Sequence, residues 1–408
     1  MVATDQCVAQ EKLRIDTETV THQRSPWKEI EVSAKSNLHG LHVTNKNVIW
    51  VCGDDGTVLQ SCNGGVSWKE NKLEDPDYPD GPLLVDVHGF DEATAIAISG
   101  ENPAKIYRTT SGGRRWKAML HYPGDNIFFR SLSFWDDHRG IVMGNAIDGR
   151  MLLLRTSDGG VVWKRLKADH RPPMNPGETA MVGNGSNMES KGAQMLVVGL
   201  GGAEIGSRDN SRVLISTDFC HTWVSGSVPV RRSETGGIFS VHFATEKDGV
   251  VIGGDANNPE ANDRIYAVTS DGGTTWGVPS PAHPPDGFRS CVAQFVDGNE
   301  IKLVAVGPSG TDLSTDLGNK WRKVSDKGFR VVGFAPEGKV GFAAGDDGRI
   351  ARWIPERSKV KAPQTSRPSR PQSRVFAGNI SVFGKCQESR GDPSDHRDFS
   401  FVAPLISG

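Results

Sequence analysis

Three arginines have the residue type and spacing expected of an anion-binding site. Each follows a phenylalanine and stands at the start of a short apolar run; they are Arg130, Arg289 and Arg330. A guanidinium presents its N–H donors as a planar fork, so converging arginines can hold a carboxylate, a phosphate or an acidic peptide. When the inner strands are aligned by their distance to the following glycine, three further residues fall at the same position, namely His39, Asp86 and Phe239.

Two interpretations of these positions remain open from the sequence. In the first, Arg130, Arg289 and Arg330, with His39 and Asp86, converge on an axis and bind a ligand or a partner. In the second, each arginine is held by a carboxylate or a carbonyl of the neighbouring repeat, as the acidic side chain of Asp86 suggests.

Carboxylates also recur within an eight-residue box that occurs six times. The box reads Ser/Thr, any residue, Asp/Asn/Ser, any residue, usually Gly, any two residues, Trp. Its third residue can hydrogen-bond its own backbone a residue or two further on, and its glycine can adopt a positive φ. We therefore interpret the boxes as structural hairpin turns rather than as acids or metal ligands. Their third and eighth residues are Asn63 and Trp68, Ser111 and Trp116, Asp158 and Trp163, Asp218 and Trp223, Asp271 and Trp276, and Asp316 and Trp321.

No other motif predicts a catalytic centre, a metal or a cofactor. The sequence has no HExxH pair, calcium loop, GxSxG elbow, phosphate loop or dinucleotide fingerprint, and its six cysteines lack metal-ligand spacing. The net charge of -2 gives no field that would favour nucleic acid. No run of about 18 apolar residues predicts a transmembrane helix.

The spacing of the box tryptophans identifies the elements that position the candidate residues. Successive tryptophans lie 48, 47, 60, 53 and 45 residues apart, and a four-stranded propeller blade takes about 40 to 50. After Trp321 the chain has three more strands without a box, while the segment around Trp27 looks like the end of one. The sequence therefore predicts an all-β, seven-bladed propeller of four-stranded antiparallel blades, closed by pairing of the N-terminal strand with the last blade.

Composition divides the chain into three parts. We predict a flexible segment at residues 1–25, the propeller at 26–354, and a basic linker rich in Pro, Ser and Arg with a mostly disordered tail at 355–408. The first segment has no apolar core of a signal peptide, so either the protein stays in the cytoplasm or an export segment is missing from the sequence. We expect a monomer.

The boxes and the Phe-Arg strands together resemble the photosystem II stability and assembly factors and their bacterial relatives. The resemblance extends from Trp27 to about Trp353 and is strongest at residues 129–134, which read FRSLSF, and at Phe329 and Arg330. It implies a non-enzymatic scaffold that holds a protein partner, such as a membrane-protein assembly intermediate, through arginines near one face of the propeller. It also implies an exported or lumenal location.

The alternative from another class is a glycan-directed protein, either a sialidase-like hydrolase or a lectin. Sialidases also use clustered arginines, but they require a tyrosine nucleophile with a glutamate partner. Among the four tyrosines, Tyr107 and Tyr266 are predicted on third strands, away from the axis. The sequence thus favours a non-catalytic scaffold.

Overall fold

The computed structural model describes residues 25–181, 184–203 and 209–354, and these form seven antiparallel sheets arranged as propeller blades. Strand β1 (Trp27–Ile30) belongs to the last blade. The strands of blades 1 and 2 are β2 (Leu38–Val43), β3 (Ile49–Gly53), β4 (Thr57–Ser61), β5 (Lys69–Lys72), β6 (Leu84–Gly89), β7 (Ala95–Ser99), β8 (Lys105–Thr109) and β9 (Lys117–His121). Those of blades 3 and 4 are β10 (Phe129–Phe134), β11 (Gly140–Ile147), β12 (Arg150–Thr156), β13 (Lys164–Arg165), β14 (Met188–Lys191), β15 (Met195–Gly199), β16 (Asn210–Ser216) and β17 (Val224–Arg231).

The remaining strands complete blades 5 to 7. They are β18 (Gly236–Phe243), β19 (Gly249–Asp255), β20 (Tyr266–Thr269), β21 (Cys291–Asp297), β22 (Glu300–Gly307), β23 (Gly310–Ser314), β24 (Arg322–Ser325), β25 (Val331–Phe334), β26 (Gly341–Ala344) and β27 (Ile350–Trp353). In the part of the chain that the structure describes, three short 3-10 turns occur at Asp54–Gly56, Ala168–His170 and Asp346–Gly348. The described residues include no helix with the length and hydrophobicity of a membrane-spanning segment.

The predicted fold class is confirmed, including the closure of the ring. Strand β1 pairs with β27 from Trp27 opposite Trp353 to Ile30 opposite Ile350, so the last blade is built from both ends of the propeller. The two tryptophan rings pack edge to face with centroids 4.9 Å apart. Blade 5 is the irregular one, because its fourth strand is reduced to a single bridge between Val268 and Gly277.

All six boxes form the same hydrogen-bonded turn between the third and fourth strands. The hydroxyl of the first residue accepts the N–H of the fifth residue, and the side chain of the third accepts the N–H of the seventh. In the box of blade 5, for example, Asp271 Oδ1 accepts from Thr275 N at 2.9 Å. The capping bond thus reaches four residues along the chain, which corrects the shorter reach expected from the sequence.

The predicted ends of the propeller can be compared with the structure only in part. Trp27 and Trp353 lie opposite each other at the end of blade 7 where the other blades have a box. The predicted flexible segment, apart from Ser25, and the predicted linker and tail at 355–408 lie outside the described residues.

Candidate functional site

A bulge near the start of the inner strand defines one equivalent position around the ring. In four blades a single residue there is left out of the pairing with the second strand; these residues are His39, Val85, Arg130 and Phe239. In blades 6 and 7 the position is taken by Ser290 and Arg330. Their N–H groups bond to the carbonyls of Val306 and Ala344, the residues that pair with their successors. Inner strands surround the axis of a propeller, so these positions face one another across the ring.

Arg289 does not occupy this position, which corrects the alignment based on the sequence. Its N–H donates to Gly253 O in the preceding blade, as Leu38 donates to Gly345 O and Phe329 to Gly307 O. Arg289 therefore takes a place that buried apolar residues fill in other blades. Its side chain is 0% exposed and its Nε lies 2.6 Å from Asp312 Oδ2, so the guanidinium faces the interior of blade 6.

Asp86 also lies one residue away from the bulge position, directly after Val85. Its buried carboxylate accepts the N–H groups of Val87 and Leu132, both at 2.8 Å. Burial raises the pKa of Asp86 to about 7, although these two hydrogen bonds oppose the rise. The residue links blades 2 and 3 and does not present a free carboxylate.

The basic side chains at the bulge position of blades 1 and 7 each contact an aspartate of the same blade. His39 Nε2 lies 2.6 Å from Asp54 Oδ1, and Arg330 forms an ion pair with Asp346. Each aspartate follows a glycine at the end of the second strand or directly after it, and each is the second residue of a Gly-Asp-Asp-Gly turn with matching dihedral angles. For these two positions, pairing within the blade is what the structure shows.

Arg130 in blade 3 has no such counter-ion within the described ranges, because Asn145 follows Gly144, the glycine equivalent to Gly53 of blade 1. The amide of Asn145 is already engaged, since its Oδ1 accepts from Phe128 N at 2.8 Å and its Nδ2 donates to Asn126 O at 2.9 Å. The guanidinium of Arg130 lies 5.4 Å from the centroid of the Phe128 ring, and its buried Nε has no hydrogen-bond partner among the described residues. Desolvation lowers the pKa of Arg130.

A segment that precedes β14 fills the axis between the inner strands. The amide of Asn184 donates to Ser290 O at 2.8 Å and to Arg330 O at 2.7 Å, the carbonyls of two bulge residues. Gly185 O accepts from Ser131, and the carbonyl of Ser186 accepts from the N–H of Val241. These contacts with blades 3, 5, 6 and 7 make the segment Asn184–Ser186 an axial plug.

Asn184 of the plug lines a pocket of about 440 Å³ whose other walls come from blades 5 to 7. Phe239, Phe288 and Phe329 supply apolar walls, and Arg330 and Arg349 supply cationic groups. The Phe239 and Phe288 rings pack at 4.7 Å in a T-shaped arrangement. The lining of this pocket therefore combines aromatic surface with positive charge, which suits a partner that offers both apolar and acidic groups.

The residues near the pocket give little support to glycoside hydrolysis or to metal binding. Its lining, which lies wholly in the described part of the chain, contains one carboxylate and no tyrosine. Tyr107 is buried on the third strand of blade 2 and its hydroxyl donates to Asp75 at 3.1 Å. Within residues 25–181, 184–203 and 209–354 there is no cluster of His, Cys, Asp and Glu arranged to hold a metal ion.

Sequence reasoning missed the plug. Asn184 begins an Asn-Gly-Ser sequon, a pattern typical of glycosylated surface loops, yet it is 6% exposed and its amide is fully used. The only local signal was the Asn-Gly pair, which indicates a turn but not a position on the axis. Two of the aromatic walls, Phe288 and Phe329, could be recognised as the phenylalanines of Phe-Arg pairs, but nothing in the sequence indicated that their side chains would converge with Phe239.

These features define a class: a seven-bladed propeller with a plugged axis and an aromatic, arginine-bearing pocket at one end of its inner strands. No family model matches the chain. Within that class, the expected resemblance to photosystem II assembly factors is confirmed by sequence similarity to proteins named Ycf48.

Three such relatives are photosystem II assembly lipoproteins Ycf48 from cyanobacteria. The chain is 23% identical over 159 residues to that of Synechococcus sp. (strain CC9902), which covers 38% of this chain and 44% of the relative. It is 25% identical over 178 residues to that of Prochlorococcus marinus (strain MIT 9313), covering 43% and 50%. The chain thus spans about half the length of these two relatives. A third match, from Picosynechococcus, is 23% identical over 331 residues, or 70% of this chain and 83% of that protein.

Solved propellers support the same fold. A structure described as YCF48 bound to D1 peptide superposes with a TM-score of 0.55 at 17% identity, covering 81% of this chain and 97% of the other. YCF48 from Cyanidioschyzon merolae gives a TM-score of 0.50 at 20% identity, with 81% and 99% covered. A chain of the mitotic checkpoint complex gives 0.55 at 13% identity, with 87% and 98% covered. At these identities the structural likeness shows the fold alone.

Proposed function

We propose that this chain is a non-enzymatic propeller that binds a segment of a protein partner during assembly of photosystem II. The observation that carries the proposal is Arg130, a half-buried guanidinium with no carboxylate partner among the described residues, at a position where His39 and Arg330 each have one. A desolvated arginine without a counter-ion gains the most from an acidic group that a partner supplies. The similarity to Ycf48 proteins, one of which is described as bound to D1 peptide, supports a polypeptide as that partner.

The partner segment would place apolar side chains against the phenylalanines of the axial pocket and an acidic group at Arg130. The bulge residues Phe239, Ser290 and Arg330 line the pocket, and Arg130 holds the equivalent position in blade 3. The glycan-directed alternative is less favoured, because a sialidase needs a tyrosine nucleophile in the pocket and the lining residues include none.

Asn145→Asp provides a sharp test, because it gives Arg130 the counter-ion found in blades 1 and 7. Titration with a fluorescently labelled D1 peptide should show binding to the wild type and a loss of about tenfold or more for the variant. Arg130→Gln should give a similar loss. Arg322→Gln, an exposed change on the outer strand of blade 6, is the matched control and should bind normally.

The outcomes separate the alternatives. If Asn145→Asp and Arg130→Gln keep their circular dichroism spectra and bind the D1 peptide as the wild type does, the assignment of Arg130 is wrong. If wild-type protein fails to bind the D1 peptide but hydrolyses a fluorogenic sialoside, the scaffold proposal is overturned in favour of the hydrolase.

A further inference from the structure

A second groove lies at the seam between the outer parts of blades 3 and 4, next to their boxes. It has a volume of about 540 Å³ and runs between the fourth strand of blade 3 and Phe219 in the box of blade 4. In an antiparallel blade the turns after the first and third strands lie at one end, and the turns after the second and fourth lie at the other. The end of the groove formed by the blade 3 box, at Thr156 to Asp158, is therefore on the side of the ring opposite to the axial pocket.

The groove is strongly cationic. Four basic side chains line it, Arg155, Lys164, Arg165 and Lys167, and none of them forms a salt bridge with a carboxylate within the described ranges. The one carboxylate of the lining, Asp158, is committed to its own turn, where it accepts the N–H groups of Val161 and Val162. The positive charge of the groove is thus not neutralised from within.

Phe219, which contacts the basic side chains of the groove, has an unusual backbone conformation. It has a φ of +60° at the fourth position of the box, where four of the six copies have glycine, and a bulky residue in the left-handed region is strained. Its ring lies 4.8 Å from the guanidinium of Arg155 and 5.3 Å from that of Arg139. Strain of this kind persists where the surrounding structure makes use of it. Phe219 contacts Arg155 in the lining of the groove both through its ring and through its carbonyl, which accepts from Arg155 Nη1 at 3.3 Å.

Apolar surface adjoins the basic side chains. Val161 and Val162 at the tip of the blade 3 box are 44% and 48% exposed, among the few large apolar side chains in the described residues that face solvent. Acidic residues flank the same box, since the turn that contains Asp136 and Asp137 hydrogen-bonds to it through His138 O and Gly159 N at 3.0 Å. A long polyanion such as nucleic acid would be repelled by these acids, whereas a short segment would avoid them.

We infer that this groove is a docking site for an acidic, partly apolar extended segment of a partner protein. Carboxylates of that segment pair with Arg155, Lys164 and Arg165, and its apolar side chains cover Val161 and Val162. The charge and the exposed valines select such a segment over a purely polar one. The site is separate from the axial pocket and does not depend on the function proposed for it.

A short fluorescein-labelled peptide of alternating aspartate and leucine is a suitable probe. Fluorescence anisotropy should show saturable binding that weakens with salt, and the same peptide with asparagine in place of aspartate should bind about tenfold more weakly or less. Lys164→Gln should weaken binding severalfold. Arg322→Gln, at the same place after the box tryptophan of blade 6, should leave it unchanged.

Phe219→Gly separates docking from stability. It introduces the glycine that four of the six boxes have at this position and relieves the strain, so the thermal transition should stay close to that of the wild type. Binding should nevertheless fall severalfold, because Arg155 loses the ring that orients it. Unchanged binding by both Phe219→Gly and Lys164→Gln would overturn the inference. So would binding of heparin or phosphatidylglycerol vesicles at this groove without binding of the acidic peptide.

Discussion

Arg289 and Asp312 form an ion pair that is enclosed within blade 6, with side chains 0% and 1% exposed and Nη2 only 2.6 Å from Oδ2. Arg289 also donates to Phe288 O and to the hydroxyl of Ser309 at 2.9 and 3.0 Å. The pair occupies the place of an apolar residue in the other blades, so the arginine depends on Asp312 for its burial.

We expect Asp312→Asn to destabilise the protein by about 3–5 kcal/mol, because it leaves a buried charge without its partner. Urea denaturation would measure the loss. The double variant Arg289→Met with Asp312→Leu should recover most of that stability, since it replaces the pair with apolar side chains. A single variant as stable as the wild type would show that the pair is not structurally important.

Closure of the ring depends on Trp27. Its ring packs against Trp353 and Phe329, and its Nε1 donates to Thr311 Oγ1 at 2.9 Å. Trp27→Ala should cost about 3–5 kcal/mol through the cavity it leaves. Trp27→Phe keeps most of the apolar contact and should cost far less. Equal urea midpoints for Trp27→Ala and the wild type would contradict this role.

The plug should be sensitive to the chemistry of Asn184. Asn184→Ala removes two hydrogen bonds to backbone carbonyls and is expected to cost about 2 kcal/mol. Asn184→Asp has the same shape but sets a carboxylate against Ser290 O and Arg330 O, so it should cost more than alanine. Thermal unfolding would rank the two variants, and hydrogen exchange at residues 290 and 330 should increase in both. Tolerance of the aspartate would argue against the plug.

Asp218 makes the stability of the folded protein depend on pH in the acidic range. Burial raises the pKa of Asp218, but hydrogen bonds from Thr222, Ser216 and His221 outweigh that effect and lower the pKa from 3.8 to about 2. A folded-state pKa below the unfolded value gives stability that is present above about pH 4 and is lost as the pH falls through 2. Asp218→Asn, which copies the natural Asn63 box, should therefore flatten the decline in urea midpoint between pH 5 and 2. If the urea midpoint of the variant declined with pH as steeply as that of the wild type, Asp218 would not be a source of the acid dependence.

Asp86 should make stability depend on pH in the direction opposite to that of Asp218. Its pKa of about 7 in the folded protein exceeds the unfolded value, so the folded state binds the proton more tightly. The contribution of Asp86 to stability is then greatest below about pH 4 and declines as the pH rises through 7. Urea midpoints of Asp86→Asn between pH 4 and 8 should decline less than those of the wild type. A steeper decline in the variant would contradict the assignment.

The number of blades, the closure of the ring and the positions of the boxes could all be predicted from the sequence. Those features follow from short-range interactions: the bond from Thr275 N to Asp271 Oδ1 spans four residues, and the tryptophan spacing repeats the length of one blade. The pairing of Trp27 with Trp353 could be predicted because each end of the chain had half of a repeated pattern. A periodic pattern of this kind can be recognised in the sequence without knowing how the residues pack.

Which side chains share one position around the ring became identifiable only from the paired strands. Alignment by sequence placed Arg289 and Asp86 with Arg130, but each lies one residue away from the bulge position, and an offset of one residue puts a side chain on the other face of its strand. The contacts of Asn184 join residues 106 and 146 positions apart, and no local pattern encodes such a distance. The absent counter-ion of Arg130 likewise depends on Asn145 in the adjoining strand, a partner that becomes identifiable only once the strands are paired.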